Sequence, residues 1–490
     1  MRERRVIFSL WLLLMALGII FAFIQPVWSR VDEAQHYDYV QYVAENLSLP
    51  VEGKDFISQD VVDVSVKSNQ WGWRPAGVLS TPADLDPALW TTLPGDLGGL
   101  DKERWVRRNL WYFGYEAMQP PLYYMVNAPV YAALPDDPFV KLYGMRLLAA
   151  LLASAMVPIT WLTAREASPG NRLAIYGAPV AMLLTQGYAL NMSQITNDAL
   201  AVPLAATAVL ILLRLVVRGL AWKRSLAAGT LIGAALLTKM TTIFLLPAAA
   251  AALIFLLIYK RGKLGRVALH AGIIYGVAAA IMAPWLAHNF SLYGDATGAS
   301  AARPLMSSFF ESPLLNFSTL RLDELLPTFW FGEPIFPFPF WTYAWMAAGT
   351  AIAVALIGVL YYYFGPGGWL NGMAAGIEAG SSGAGGEASG EKFPGGGGQS
   401  ELPDARMSIN FIVTAFAIGA LVIILIPFGS GIGGVPGRYL YPLLPMGTFL
   451  LMFGIDRLLW RERARFMAEA LLLWMVVWES LNFLAYIRNL

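Results

Sequence analysis

Apolar runs close to the length of a bilayer crossing recur along this chain, each bounded by charged or turn-forming residues. They predict crossings at 6–25, 140–163, 173–190, 198–217, 225–238, 241–259, 267–287, 341–364, 408–428, 439–457 and 467–487, the fifth being short. Backbone groups in hydrocarbon must bond within their own segment, so runs of this kind are read as helices. The pattern therefore predicts an all-α integral membrane protein, a bundle of about eleven transmembrane helices. Two long polar stretches interrupt it, at 26–139 and 288–340.

Lysine and arginine divide the short connections into two alternating sets. One set carries Arg165 and Arg172; Arg214, Arg218, Lys223 and Arg224; Lys260, Arg261, Lys263 and Arg266; and Arg457, Arg461, Arg463 and Arg465. The other set, 186–197, 237–242 and 427–439, holds only Lys239 and Arg438. The positive-inside rule then predicts a cytoplasmic N-terminus and places both long loops outside the cell. Arg2, Arg4 and Arg5 precede the first run, which is longer than the core of a signal peptide. The flank at 25–29 also lacks a small-x-small cleavage site, so the run is expected to remain as the first membrane helix.

Within the first loop, 34–46 has helical spacing. Tyr37, Val40 and Ala44 lie on one side and Asp38, Gln41 and Glu45 on another, which predicts a short helix along the membrane surface. The middle of that loop, with Trp71, Trp73, Pro75, Pro82, Pro87, Pro94, Gly95, Gly98 and Gly99, reads as turns. Residues 365–398 hold 14 glycines in 34 positions. The segment 365–406 thus reads as a flexible cytoplasmic linker between a body, 1–364, and a three-helix tail, 407–490. No internal repeat is visible, which argues against a transporter built from inverted halves.

Composition narrows the function classes. A hydrophobic share of 57% with 14% charged residues lies outside the usual soluble range of about 45–50% and 25%. The net charge of +1 argues against a nucleic-acid partner. The absence of cysteine excludes disulfides, iron–sulfur clusters, thiolate zinc sites and cysteine nucleophiles. No P-loop, dinucleotide fingerprint or H-E-x-x-H is present.

The candidate chemistry gathers at the predicted outer ends of the helices. Asp32-Glu33 could supply a general base, bind a hard divalent cation, or simply cap a helix. Glu116 precedes Pro120-Pro121, where a helix start is the plain alternative to a functional role. Asn197-Asp198 would share the membrane face of Asp32-Glu33, unless it is only a cap. Lys239 and Arg438 could each bind a phosphate, against the alternative of reaching ordinary lipid headgroups. His288-Asn289 follows Pro284-Trp285; with three histidines in the chain and no H-x-x-x-H spacing, a histidine zinc site is not expected. Phe329, Trp330, Phe331, Phe336, Phe338, Phe340 and Trp341 read as an interfacial aromatic belt or as a platform for a sugar or isoprenoid chain.

Taken in order, these pieces resemble the GT-C superfamily of polytopic glycosyltransferases, and within it a bacterial membrane-protein family related to the mannosyl- and aminoarabinosyl-transferases. The matching stretches run from Pro26 through Asp32-Glu33-Ala34-Gln35-His36, Glu116 through Tyr124, and Tyr143-Gly144-Met145-Arg146-Leu147-Leu148. Asn197-Asp198, Thr238-Lys239, Trp285 to Gly294 and Gly437-Arg438-Tyr439 complete the series, with His288-Asn289 standing where relatives often carry Arg-Asn.

The resemblance implies a GT-C-like bundle with a large first extracytoplasmic loop and a multi-pass location in the cytoplasmic membrane. It implies a polyprenyl-phosphate-sugar donor, a lipid, glycan or protein acceptor, and inversion at the anomeric carbon during cell-envelope assembly. Asp32 or Glu33 would be the catalytic base and Asp198, with Glu116, the second acidic site. Lys239 and Arg438 would hold the donor phosphate, and His36, His288 and Asn289 would line the substrate site. No cofactor is assigned, although a divalent metal is compatible with the carboxylates. A lipid-linked substrate transporter or flippase, and a catalytically silent partner subunit, are the rival expectations.

Overall fold

The computed structural model describes residues 2–28, 32–51, 115–260, 262–298, 341–365, 403–430, 437–459 and 461–488, together with 58, 60, 61, 64, 68, 325 and 328–330. The turn-rich middle of the first loop, most of the glycine-rich linker and most of the aromatic stretch 329–341 lie outside the described residues. Among the described residues, every regular element is a helix.

In chain order these are α1 (Arg2–Ile24), α2 (Glu33–Asn46), α3 (Leu122–Ala133), α4 (Pro138–Ser154), α5 (Met156–Ala167), α6 (Arg172–Leu183), α7 (Gln186–Met192) and α8 (Asp198–Arg218). Then follow α9 (Trp222–Leu236), α10 (Leu245–Tyr259), α11 (Leu264–Tyr293), α12 (Trp341–Phe364), α13 (Pro403–Ser430), α14 (Leu444–Leu458) and α15 (Arg461–Arg488). Short 3-10 turns cover Tyr115–Met118, Met240–Phe244 and Gly437–Leu443.

Seven helical stretches are long and apolar enough to cross a membrane, or eight with the pair α6–α7, whose axes bend by 52° at their break. The break has a local cause. The Thr185 hydroxyl donates back to the Ala181 carbonyl while its amide bonds to Met182, which tightens and ends the ladder. Length and composition thus support seven or eight of the eleven crossings read from the sequence among the described residues. The remaining runs are helices too, but α9 has only 15 residues, about 22 Å of rise, and α15 carries Arg463, Arg465 and Glu469 in its first turns.

One large apolar core runs from Ala164 on α5 to Ala468 on α15 and includes side chains of α13 and α14. The C-terminal helices are therefore part of the same packed bundle as α5, α6, α8 and α10. Glycine permits two close helix crossings. A Cβ at Gly229 would stand 2.6 Å from the Ile274 carbonyl, where α9 lies on α11. A Cβ at Gly358 would overlap the Gly454 carbonyl, where α12 crosses α14.

The two ends of the bundle differ in charge. At the C-terminal end of α8, Glu166 takes Arg218 at 2.6 Å and Arg214 at 3.4 Å, and Arg224 donates to the Gly219 carbonyl at 2.7 Å. Asp198 opens the same 21-residue helix, about 30 Å away. That is the thickness of the hydrocarbon layer, so α8 separates a basic face from the face that carries Asp198.

Candidate active site

One arginine ties the end of α1 to the start of α2. Arg146 on α4 is fully buried, and its guanidinium makes a bonded set of five. Nε donates to Glu33 Oε1 at 2.7 Å and Nη2 to Glu33 Oε2 at 2.5 Å. The remaining donors reach the carbonyls of Ala22 (2.9 Å), Gln25 (3.1 Å) and Pro26 (2.7 Å). The Ile195 amide adds a further bond to Glu33 Oε1 at 3.0 Å. Glu33 is thus wholly engaged within the protein, and a planar bidentate fork of this kind is what lets a buried charge pair persist.

Asp32 differs from its neighbour. It stands at the start of α2 in the left-handed region, with φ 55° and ψ 27°, and its side chain makes no capping bond to the helix. Its carbonyl accepts from the amides of Gln35 and His36, which sets His36 one helical turn beyond it. A non-glycine residue in this region carries backbone strain, held here by the Arg146 bonds to the carbonyls just upstream and to Glu33 just downstream.

His36 brings α2 against α3. Its Nδ1 lies 2.9 Å from the Tyr124 hydroxyl, and Tyr124 stacks on Tyr39 with ring centroids 3.6 Å apart. Burial, reinforced by the positive charges of Lys239 and Arg438, holds the imidazole well below its usual pKa, so the ring is neutral. α2 is further tied down by Tyr131, whose hydroxyl lies 3.1 Å from Asp60 and 3.2 Å from Glu45.

Lys239 follows α9, and the Leu122 amide at the start of α3 bonds to the Leu237 carbonyl beside it at 3.0 Å. Its ammonium lies 2.7 Å from Asp198 Oδ1. Asp198 Oδ2 is buried without a protein donor. The Tyr439 ring carries both cations on its faces, with Lys239 at 5.4 Å and Arg438 at 5.7 Å from its centroid. Glu116 is buried in the turn before α3, near enough for its charge to act on Tyr124. The neighbouring Gln119 accepts from Asn197 Nδ2 at 3.4 Å.

His36, Glu116, Asp198, Lys239 and Arg438 thus come together around Tyr124 and Tyr439, with Asp32 one turn from His36. His288 and Asn289 lie apart from these bonds near the end of α11, where Asn289 donates to the Ala296 carbonyl at 3.3 Å. The turn that follows approaches the cluster's edge, since a Cβ at Gly298 would meet Met118 at 3.5 Å. Among the described residues no three of His, Asp and Glu converge as a metal's ligand set. The role of Arg146 was not read from the sequence. The available signal was an arginine well inside an apolar run, which calls for a buried acidic partner.

The family described as dolichyl-phosphate-mannose-protein mannosyltransferase matches residues 138–288, under a third of the chain. The crystal structure of ArnT from Cupriavidus metallidurans bound to undecaprenyl phosphate superposes with a TM-score of 0.51 at 13% identity, covering 93% of this chain and 61% of that one. The apo oligosaccharyltransferase from Archaeoglobus fulgidus gives 0.49 at 11% identity, over 98% of this chain and 55% of that one. The chain spans less than two thirds of the length of either structure. No curated protein matches it. The likeness to ArnT establishes the fold alone, a multi-pass helical bundle of the kind that structure has.

Proposed function

We propose that this protein is an inverting glycosyltransferase that moves a sugar from a polyprenyl-phosphate donor to an extracytoplasmic acceptor. The observation that carries the reading is the pairing of Lys239 with Asp198 beside Arg438 and His36, one helical turn from Asp32. Cations at the membrane face suit a phosphate whose lipid chain stays in the bilayer. ArnT, the structural neighbour, holds undecaprenyl phosphate.

In this mechanism Lys239 and Arg438 hold the donor phosphate. The acceptor hydroxyl attacks the anomeric carbon from the face opposite the phosphate, and Asp32 takes its proton. The carbon–oxygen bond to the phosphate breaks, and the phosphate leaves with the bonding pair, its charge stabilised by the two cations. Stabilisation of the leaving group supplies the larger share of the acceleration. The base contributes about 10²–10⁴-fold. Asp32 is preferred over Glu33 because both Glu33 oxygens already accept from Arg146. Glu33 instead holds the loop that presents Asp32.

The basic end of α8 would face the cytoplasm and the Asp198 end the outside, with the N-terminus cytoplasmic and the protein in the cytoplasmic membrane. The bent pair α6–α7 is a feature a transporter could also use. The residues that follow it are nevertheless bonded to the end of α1, as Gln25 donates to Ser193 at 2.8 Å and Gln194 donates to Gln25.

The test is transfer by purified protein in lipid, using labelled polyprenyl-phosphate sugars with cell-envelope extract as acceptor. Label should enter a new product and cease to do so with Asp32→Asn. Folded protein that transfers from no donor would overturn the reading.

A further inference from the structure

Consecutive residues at the start of α8 each bury an oxygen that no donor of the protein reaches. These atoms are Asn197 Oδ1 and Asp198 Oδ2. The residues are 1% and 3% exposed. The remaining polar atom of each is engaged: Asn197 Nδ2 faces Gln119 Oε1 at 3.4 Å, and Asp198 Oδ1 takes Lys239 at 2.7 Å. Those contacts leave one acceptor oxygen open on each residue. Buried acceptors without donors are rare and costly, so a ligand that satisfies both must bring hydrogen-bond donors.

Two donor chemistries could do so, an ammonium group or a pair of hydroxyls. The local charge separates them. Lys239 already occupies the only partner oxygen of Asp198, and Arg438 shares the Tyr439 ring with it. Neutral His36 lies within the field of both cations. A third positive charge would be buried beside two cations, whereas neutral hydroxyls can donate to both oxygens without that penalty.

We infer that Asn197 and Asp198 form a sugar-reading subsite that accepts hydrogen bonds from neighbouring hydroxyls of a neutral sugar and discriminates against an amino sugar. The inference rests on the glycosyl-transfer reading above and adds the class of sugar to it. The cations take the phosphate on one side, and the two open oxygens take the sugar ring on the other.

The test uses the full chain in lipid nanodiscs with polyprenyl phosphates bearing mannose, glucose, galactose or arabinose. The best of these is then compared with its monodeoxy analogues, with analogues carrying an amino group in place of a hydroxyl, and with polyprenyl phosphate alone. Loss of a hydroxyl that the subsite reads should weaken binding by about 10- to 100-fold. The amino analogue should bind no better than the corresponding deoxy one. Asn197→Asp, which adds negative charge at nearly constant size, should narrow the gap between the neutral and amino donors by about tenfold. The analogue series on the unaltered protein stands even where that variant fails to fold. Equal binding of all the sugars and of bare polyprenyl phosphate would overturn the subsite while leaving the donor-phosphate reading intact. Preference for the amino analogue would also overturn it. Failure to bind any polyprenyl phosphate would overturn both.

Discussion

Lys239, in the turn after α9, and Asp198, at the start of α8, meet at 2.7 Å, with the ammonium on one carboxylate oxygen only. The pair holds the cation rigidly, half-screened by the Tyr439 ring, in place of a freely moving surface lysine. Lys239→Met should weaken polyprenyl-phosphate binding by about 10- to 100-fold, the loss of one charge-assisted bond. Lys239→Arg should recover part of it, because the charge returns with a different shape. Competition binding in nanodiscs reads both.

Adjacent carboxylates should behave differently. Asp32→Asn should lower turnover by about 10²–10⁴-fold and leave the thermal midpoint unchanged. Glu33→Gln should instead lower the midpoint, because it leaves Arg146 without its charge partner. Turnover and thermal unfolding measured on the same preparations separate the two roles. Identical profiles for both variants would contradict the assignment.

Arg146→Met should destabilise the protein by about 3–5 kcal/mol, since it strands a buried carboxylate and three backbone carbonyls. Arg146→Lys should not rescue it, because an ammonium cannot reproduce the planar fork. The double change Arg146→Met with Glu33→Leu should regain part of the loss. Folded fraction after heating in detergent, followed by size-exclusion chromatography, gives the comparison.

His36 sets a direction with pH. In the folded protein its pKa is depressed, while in the unfolded chain it is near 6.5. Above that value neither state binds the proton and no stability depends on it. Below it the unfolded chain is protonated first, so stability falls as pH drops, by up to about 1.4 kcal/mol per pH unit. His36→Gln should flatten this dependence in thermal midpoints measured between pH 7 and pH 5.

The helix content was open to reading because a bilayer forces it: each apolar run predicted from hydropathy is found as helix. The number of crossings is less legible, since α9 is short and α15 is polar at its start. The candidate cluster was half legible. His36, Glu116, Asp198, Lys239 and Arg438 were all singled out, but Lys239–Asp198 depends on how α8 lies beside α9, which no local pattern encodes. Asp32 and Glu33 are neighbours in sequence and chemically alike. What separates them is an arginine 113 positions away from Glu33. His288 and Asn289, expected to line the substrate site, stand near the end of α11, where Asn289 bonds to the turn that follows.

The contact of α12 with α14 at Gly358 and Gly454 joins helices that lie on opposite sides of the glycine-rich segment 366–402 in the chain. Arg438 and Tyr439, which face Lys239, follow that segment in the chain. Neither fragment flanking it could therefore hold the phosphate alone, yet each brings a complete surface for recognising the other. Continuity of the polypeptide is dispensable where helix packing already aligns the parts: two fragments divided within the glycine-rich segment and made in the same cell should find each other in the bilayer and rebuild the working site.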